Sequence, residues 1–139
     1  MFCDILKGAA LASFVYQDDI CFVIMDIKPI NPGHVLVIPN VHAESMINVE
    51  PQVMRHMMSI AQNLSISLRY SSVQCDGINL FLCDGVHAGQ DVFHLHLHVI
   101  PRFQNDGYCW NMISQRDYQR KDLDDVAHNL KEVYKKLFG

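Results

Sequence analysis

Three histidines alternate with apolar residues in the run His94-Leu95-His96-Leu97-His98. We interpret residues 92–100 as a strand, in which alternate side chains point to the same face. The three imidazoles would then share one face of the sheet. The other face would pack on the core through Phe93, Leu95, Leu97 and Val99.

Three interpretations of this histidine row stay open from the spacing alone. A neutral imidazole is a nucleophile and a neighbouring ring is a hydrogen-bond donor, which suits phosphoryl chemistry. Clustered imidazoles also disfavour multiple protonation, so that one ring stays neutral near pH 7. Two or three histidines with a carboxylate or thiolate can instead bind zinc. The third interpretation is a histidine row that does no chemistry.

The remaining pattern predicts the elements that must position these rings. Short strands joined by tight turns, together with two helices, predict an α+β domain with a mostly antiparallel sheet. The helices are indicated by apolar residues at helical spacing. We expect strands over 13–16, 20–27, 34–38, 78–83 and 92–100, and helices over 50–69 and 121–138.

Length and composition predict one globular domain over residues 1–139, because half of the residues are hydrophobic and 19% are charged. The net charge of −4 gives no basis for generic nucleic-acid binding, although a few donors can still bind a phosphate locally. The longest apolar runs are too short to cross a membrane.

The five cysteines show neither a disulfide framework nor a CxxC pair. We interpret them as reduced thiols of a cytoplasmic protein. The first sixteen residues contain Asp4 and no basic residue before Lys7, so we expect no signal peptide.

Two segments of the chain resemble the histidine triad (HIT) family. The run from His94 to Ile100 matches the pattern His-φ-His-φ-His-φ-φ, where φ is apolar, and it is flanked by Ala88-Gly89-Gln90 and Pro101-Arg102. Upstream, Asp26-Ile27-Lys28-Pro29, Pro32 to Pro39 and then His42 are also similar to the family. The resemblance runs from Phe2 to Arg102, and it implies the histidine triad fold, with 1–102 as the core motif region and 103–139 as a variable loop and C-terminal helix.

The resemblance implies a hydrolase or transferase that acts at the α-phosphate of a nucleotide. His96 matches the histidine that attacks phosphorus and forms a covalent nucleotidyl intermediate. His94 and His98 would orient this ring and donate to phosphate oxygens. His34 matches a position behind the triad, where a structural histidine is an equal alternative.

The resemblance also implies a nucleotide-binding set. Asp26 matches the carboxylate that holds the ribose hydroxyls. Phe2, Ile5, Ile24 and Ile27 match the base pocket, although each alone is better explained as core. The phosphate loop is matched by Gly85, Gly89 and Gln90, and we expect the Gln90 amide to donate to a phosphate oxygen.

Three departures from the family pattern bear on function. Asp91 stands where members usually carry a hydroxyl that helps the leaving group, and Cys83 replaces an amide, so both enter the nucleotide-binding set. Cys3, His42 and His94 match three of the four ligands of a zinc site found in some bacterial members. We expect no required cofactor, with structural zinc as the less favoured alternative.

The predicted activity is cleavage of a nucleoside 5′-phosphoramidate or a dinucleoside polyphosphate, with a purine nucleotide substrate and release of a nucleoside monophosphate. The alternative is a nucleotide-binding sensor or partner-binding module with little turnover. The family implies a homodimer that joins its sheets, and Met54, Met57 and Met58 are expected to contribute. The segment 107–110 lies where members contact the leaving side of the substrate or the partner subunit. The C-terminal helix is expected to pack on the sheet.

Overall fold

The computed structural model describes residues 1–108, 117 and 119–139. The chain forms two compact units, Met1–Tyr108 and Cys109–Gly139. Cys109 and Trp110 of the expected substrate-side segment lie outside the described residues. The single domain over 1–139 therefore stays a prediction.

The first unit carries a five-stranded sheet with two α-helices. Its strands are β1 (Phe14–Gln17), β2 (Cys21–Met25), β3 (Val35–Pro39), β4 (Gly77–Phe81) and β5 (Leu97–Arg102), and its helices are α1 (Phe2–Leu6) and α2 (Pro51–Tyr70). The strand order is β1-β2-β3-β5-β4, and every neighbouring pair is antiparallel. The predicted α+β class with an antiparallel sheet is confirmed, and α1 is a helix that the sequence pattern did not predict.

The two faces of the sheet carry separate apolar cores. The larger core joins α2 to alternate strand residues, among them Val23, Val37, Leu97 and Val99. The smaller core lies with α1 and contains Phe2, Ile5, Phe22, Ile24, Leu36 and Ile38. His98 is the register partner of Leu36, so its side chain lies on the face of the smaller core. The fold therefore places the histidines on the α1 face of the sheet.

The strand expected over 92–100 is shorter than predicted, because β5 begins only at Leu97. The β3–β5 register pairs Val37 with Leu97, and its continuation would pair Ile38 with His96 and then Pro39 with Leu95. Proline has no N–H to donate to a ladder, and the Leu95 amide donates instead to the Ala43 carbonyl at 2.7 Å. His94 and His96 therefore precede the strand, and Phe93, expected in the core, is 52% exposed.

The described part of the second unit contains α3, which spans Arg120–Phe138. The helix was predicted, but none of its residues is buried. Its apolar stripe is exposed by 44% to 65% at Leu123, Val126, Leu130, Val133 and Leu137. Among the described residues, no helix is both long and apolar enough to span a bilayer.

Candidate functional site

His96 is buried, and one contact fixes its tautomer. Its Nδ1 lies 2.8 Å from the backbone carbonyl oxygen of His94. A carbonyl oxygen only accepts, so Nδ1 carries the proton and donates. The Nε2 of the neutral ring therefore keeps its lone pair, which is the form that a nucleophile needs. Phe2 contacts the ring edge-on, with centroids 5.2 Å apart.

His98 receives its orientation from a chain of hydrogen bonds that begins in a turn. The Ile30 amide donates to His34 Nδ1 at 3.1 Å, so the proton of neutral His34 is on Nε2. His34 Nε2 lies 2.9 Å from His98 Nδ1, and 3.4 Å from Asp26 Oδ2. Donation to His98 Nδ1 leaves the proton of that ring on Nε2. Neutral His98 thus presents an N–H beside His96, whose ring centroid lies 4.9 Å away.

The turn before β3 explains how His34 reaches this position. Gly33 has a φ of +93°, which L side chains rarely adopt. A Cβ there would also lie 2.8 Å from Val73 Cγ1. The sequence Asn31-Pro32-Gly33 therefore closes the loop tightly enough for the Ile30 amide to meet the ring four residues later.

Burial keeps the histidines around His96 neutral. It lowers the pKa of His98 to about 4, with repulsion from His96 and His34 adding to the effect and Asp26 and Asp91 opposing it. Burial likewise lowers the pKa of His34, against the attraction of Asp26, and the pKa of His94. Neutral rings suit the site, because each keeps both a donor and an acceptor nitrogen.

His94 acts through its backbone rather than through a free ring N–H. Its Nε2 lies 2.9 Å from the Pro39 carbonyl and therefore donates there. Its Nδ1 faces Cys3 Sγ at 3.6 Å and His42 Nδ1 at 3.3 Å. No ring N–H of neutral His94 remains for a phosphate, which corrects the expected donor role. Its backbone carbonyl instead accepts a hydrogen bond from His96 Nδ1. This contact is consistent with the expected role of His94 in orienting His96.

Cys3, His42 and His94 converge as a group that could hold a metal ion. Cys3 Sγ lies 3.4 Å from His42 Nδ1, and the three donor atoms lie within 4.8 Å of one another. The Nε2–H of His94 donates to a backbone carbonyl, as the second ring nitrogen of metal-ligating histidines usually does. The donor set of one thiolate and two imidazoles fits zinc with one position left open.

A second group of possible ligands is formed by Asp26, His34 and His98. Here the two ring nitrogens lie 2.9 Å apart, at hydrogen-bond distance. Asp26 Oδ1 also accepts from the Lys28 amide at 2.8 Å. The three side chains of this group satisfy one another through these hydrogen bonds. The Asp26 carboxylate, which was expected to hold the ribose hydroxyls, lies beside His98.

The expected phosphate loop is built around Gln90. Gln90 Oε1 accepts from the Gly85 amide at 2.8 Å, and its Nε2 donates to the carbonyls of Glu44 at 2.7 Å and Val92 at 3.1 Å. Both amide protons are used, so Gln90 fixes the loop and does not donate to a phosphate as expected. Gly85 and Gly89 have φ of +98° and +87°, a conformation that favours glycine.

The two substituted positions lie beside this loop. A Cβ added at Gly89 would meet Cys83 Sγ at 3.9 Å, so the thiol borders the glycine backbone. Asp91 is exposed and close enough to raise the pKa of His98. Asp91 therefore lies near His98, and Cys83 lies beside the loop.

The four residues expected in a base pocket are not brought together. Phe2, Ile5 and Ile24 are buried in the smaller core, and Phe2 touches both His94 and His96. Ile27 is 84% exposed and lies apart from that core. The first three form an apolar wall next to the histidines.

Sequence reasoning named most of these side chains but missed the backbone groups that set their protonation. The carbonyls of Pro39, Glu44 and Val92 and the amide of Ile30 have no side-chain signal. The one sequence signal for such a contact is the turn Asn31-Pro32-Gly33, which brings a backbone amide close to the His34 ring.

Comparison with protein families matches residues 7–105 to the model of the HIT domain. A HIT-like protein of Borreliella burgdorferi is 40% identical over 109 residues, covering 78% of each chain. Adenylylsulfatase HINT3 of Arabidopsis thaliana is 35% identical over 130 residues, covering 94% of this chain and 64% of its own length.

Solved structures share the fold. A HIT family protein from Bacillus anthracis superposes with a TM-score of 0.87 at 32% identity, over 96% of this chain and 95% of its own. A zinc-bound histidine triad family protein from Mycobacterium smegmatis gives a TM-score of 0.73 at 34% identity, over 95% of each chain.

Proposed function

This chain belongs to the HIT family, and on that premise we propose that it is a nucleotide hydrolase that acts at an α-phosphate through a covalent intermediate on His96. The observation that carries the proposal is the bond between His96 Nδ1 and the His94 carbonyl. In the neutral ring that bond makes Nε2 the nitrogen with the free lone pair, beside the N–H of His98. The resemblance to an adenylylsulfatase supports hydrolysis of an adenylyl conjugate.

The proposed chemistry has two displacements at phosphorus. His96 Nε2 attacks the α-phosphorus, the N–P bond forms, and the bond to the leaving group breaks with its electron pair. His98 Nε2–H donates to a phosphoryl oxygen, where such a donor stabilises the developing charge. Water then attacks the same phosphorus, the N–P bond breaks with its electron pair returning to His96 Nε2, and one proton of the water passes to solvent, which releases the nucleoside monophosphate and restores the ring.

Asp26 and the apolar wall are proposed to hold the nucleoside. A carboxylate accepts from both ribose hydroxyls, and Asp26 Oδ2 lies 3.9 Å from His98 Nδ1, next to the reacting rings. The wall formed by Phe2, Ile5 and Ile24 suits a purine face. The loop from Cys83 to Asp91 borders the phosphate.

Asp91 is proposed to determine which leaving groups the enzyme prefers. An ionised carboxylate accepts hydrogen bonds but cannot donate a proton. A leaving group that departs as a stable anion, such as a phosphate or sulfate, needs no proton, whereas an amine does. We therefore expect mixed anhydrides to turn over faster than phosphoramidates.

The test measures release of adenosine monophosphate from adenylyl sulfate, diadenosine tetraphosphate and adenosine phosphoramidate. We expect release by the wild type and a loss of about 10³-fold or more in His96→Ala, because the nucleophile is gone. His128→Ala, which removes an exposed histidine of α3, is the matched control and should behave as the wild type. Mass spectrometry of quenched reactions should find adenylylated His96.

The outcomes separate the two functional hypotheses. Wild-type turnover by His96→Ala would refute the nucleophile assignment. Nucleotide binding without release from any of the three substrates would favour the sensor hypothesis instead.

We also propose that Cys3, His42 and His94 hold a structural zinc ion, as supported by their converging donors and by the zinc-bound relative. When bound, zinc would cross-link α1 to the segment that carries His96. The reaction itself is assigned to the histidines.

A further inference from the structure

The apolar residues of α3 follow a stricter spacing than the stripe of an ordinary surface helix. Leu123, Val126, Leu130, Val133 and Leu137 recur at intervals of 3, 4, 3 and 4 residues. This is the seam of a helix that packs lengthwise against another helix, with positions a and d apolar. All five side chains are 44% to 65% exposed among the described residues.

We propose that a second copy of this chain covers the seam, with the two α3 helices paired antiparallel. The first argument is the order of residue types. Leucine occupies every a position and valine every d position. An antiparallel pair stacks a against d, so four layers each join one leucine to one valine and have equal volume, while Leu137 lies beyond these layers at the end of the helix. A parallel pair would alternate leucine layers with valine layers, an order that does not favour two strands.

The second argument is charge. Antiparallel alignment of Leu123 with Val133 of the partner subunit also places the g positions opposite each other. Asp122 then faces Lys136 of the partner subunit, and Lys136 faces Asp122 of the partner subunit, so two opposite-charge pairs flank the seam. Both residues are exposed in the chain. In a parallel pair Asp122 would face Ala127, and no such pairing would arise.

The same register brings Asn129 opposite its own counterpart near the middle of the pair. The seam covers about two heptads, which is short for an isolated coiled coil. The pairing is therefore expected in the full chain at micromolar concentrations and not in a peptide of α3 alone.

The first test is thiol cross-linking of the full chain with a short bismaleimide. Asn129→Cys should cross-link between copies in at least about fivefold higher yield than His128→Cys, whose exposed side chain lies on the side of the helix away from the seam. The wild type, with its native cysteines, sets the background. Equal yields from the two variants would overturn the proposal. Efficient cross-linking of Asp122→Cys in place of Asn129→Cys would overturn the antiparallel order, because residue 122 lies about 21 Å from its counterpart in that order.

The second test swaps the charges in the Asn129→Cys background. Asp122→Lys alone or Lys136→Asp alone should lower the cross-linking yield, and the double swap should restore it. These exposed substitutions leave the helix intact, which circular dichroism checks. Yields unchanged by the single swaps would overturn the register. Failure here would leave the proposed hydrolase untouched, since that proposal rests on residues of the first unit alone.

Discussion

At the scale of single residues, His34 is expected to act through His98. His34 holds the proton of His98 on Nε2 by donating to its Nδ1. His34→Ala should lower kcat by about 10- to 100-fold with little change in KM, because the lost contact orients a donor used in the transition state. His34→Gln keeps an N–H donor and should recover part of the loss. Steady-state kinetics on the fastest substrate measures both.

A structural role alone would give a different result for His34. If the two variants lost stability and activity in the same proportion, or if KM rose while kcat held, the positioning role would be wrong. Thermal unfolding of each variant supplies this control.

The lowered pKa of His98 predicts acid destabilisation. The folded ring titrates at about 4, whereas an unfolded histidine titrates near 6.5. Between these values the unfolded chain binds more protons, so the free energy of unfolding falls as the pH falls from about 6.5 to about 4. His98 contributes at most about 3 kcal/mol to this fall, and His34 and His94 add in the same direction.

The measurement is urea unfolding at several pH values across this window. His98→Asn should flatten the dependence, and His128→Asn, at an exposed position, should not. The carboxyls of Asp18 and Asp106, whose pKa values are held low by hydrogen bonds, contribute only below about pH 5. An equally steep dependence in His98→Asn would contradict the assignment.

At the scale of elements, the sequence predicted the sheet but not where β5 begins. The alternating pattern identified the apolar face and the histidine face, but it does not show where the neighbouring strand ends. That end is set by Pro39, the last residue of β3, which lies 55 positions before His94 in the sequence. The roles of His94 and Gln90 were mistaken for the same reason, because their ring and amide groups bond to backbone carbonyls brought close only by the fold.

The short helix α1 is expected to depend on metal. Its five residues form too few hydrogen bonds to be stable alone, and Cys3 reaches the two histidines from it. Chelation should lower Tm of the zinc-loaded protein by several degrees, roughly the effect of 1–2 kcal/mol. Calorimetry before and after chelation, with metal analysis, measures this.

Cys3→Ala provides the control for the metal. This variant should bind less zinc, and chelation should not change its Tm further. Stoichiometric zinc in Cys3→Ala would show that the metal lies elsewhere. Loss of turnover on chelation below Tm would contradict a structural role.

At the scale of the whole molecule, the edge of the sheet is suited to the expected homodimer. Strand β4 is an edge strand, and exposed edges readily pair with another strand. Beside it runs a groove of ≈ 770 Å³ between β4 and α2, lined in part by Met58, Ile78 and Leu80. Of the three methionines expected at the interface, Met57 is buried and Met54 packs on the core, so only Met58 is exposed there.

Joining two β4 edges would continue the sheet and cover this groove. Leu80 is 42% exposed on the edge strand, so Leu80→Asp would place a carboxylate in the joined surface, where it must lose water without gaining a partner. We expect the dimer Kd to rise at least about 100-fold, equivalent to roughly 3 kcal/mol. Ile66→Asp changes a similarly exposed apolar residue of α2 outside the groove and should leave the Kd unchanged. Sedimentation velocity over a concentration series decides between them, with both substitutions made in a Leu130→Asp background that removes pairing through α3. If Leu80→Asp keeps the same mass as its parent at every concentration, the β4 edge contact is refuted. The substitution does not alter α3, so cross-linking through residue 129 of the chain with an intact seam tests the pairing of α3 separately.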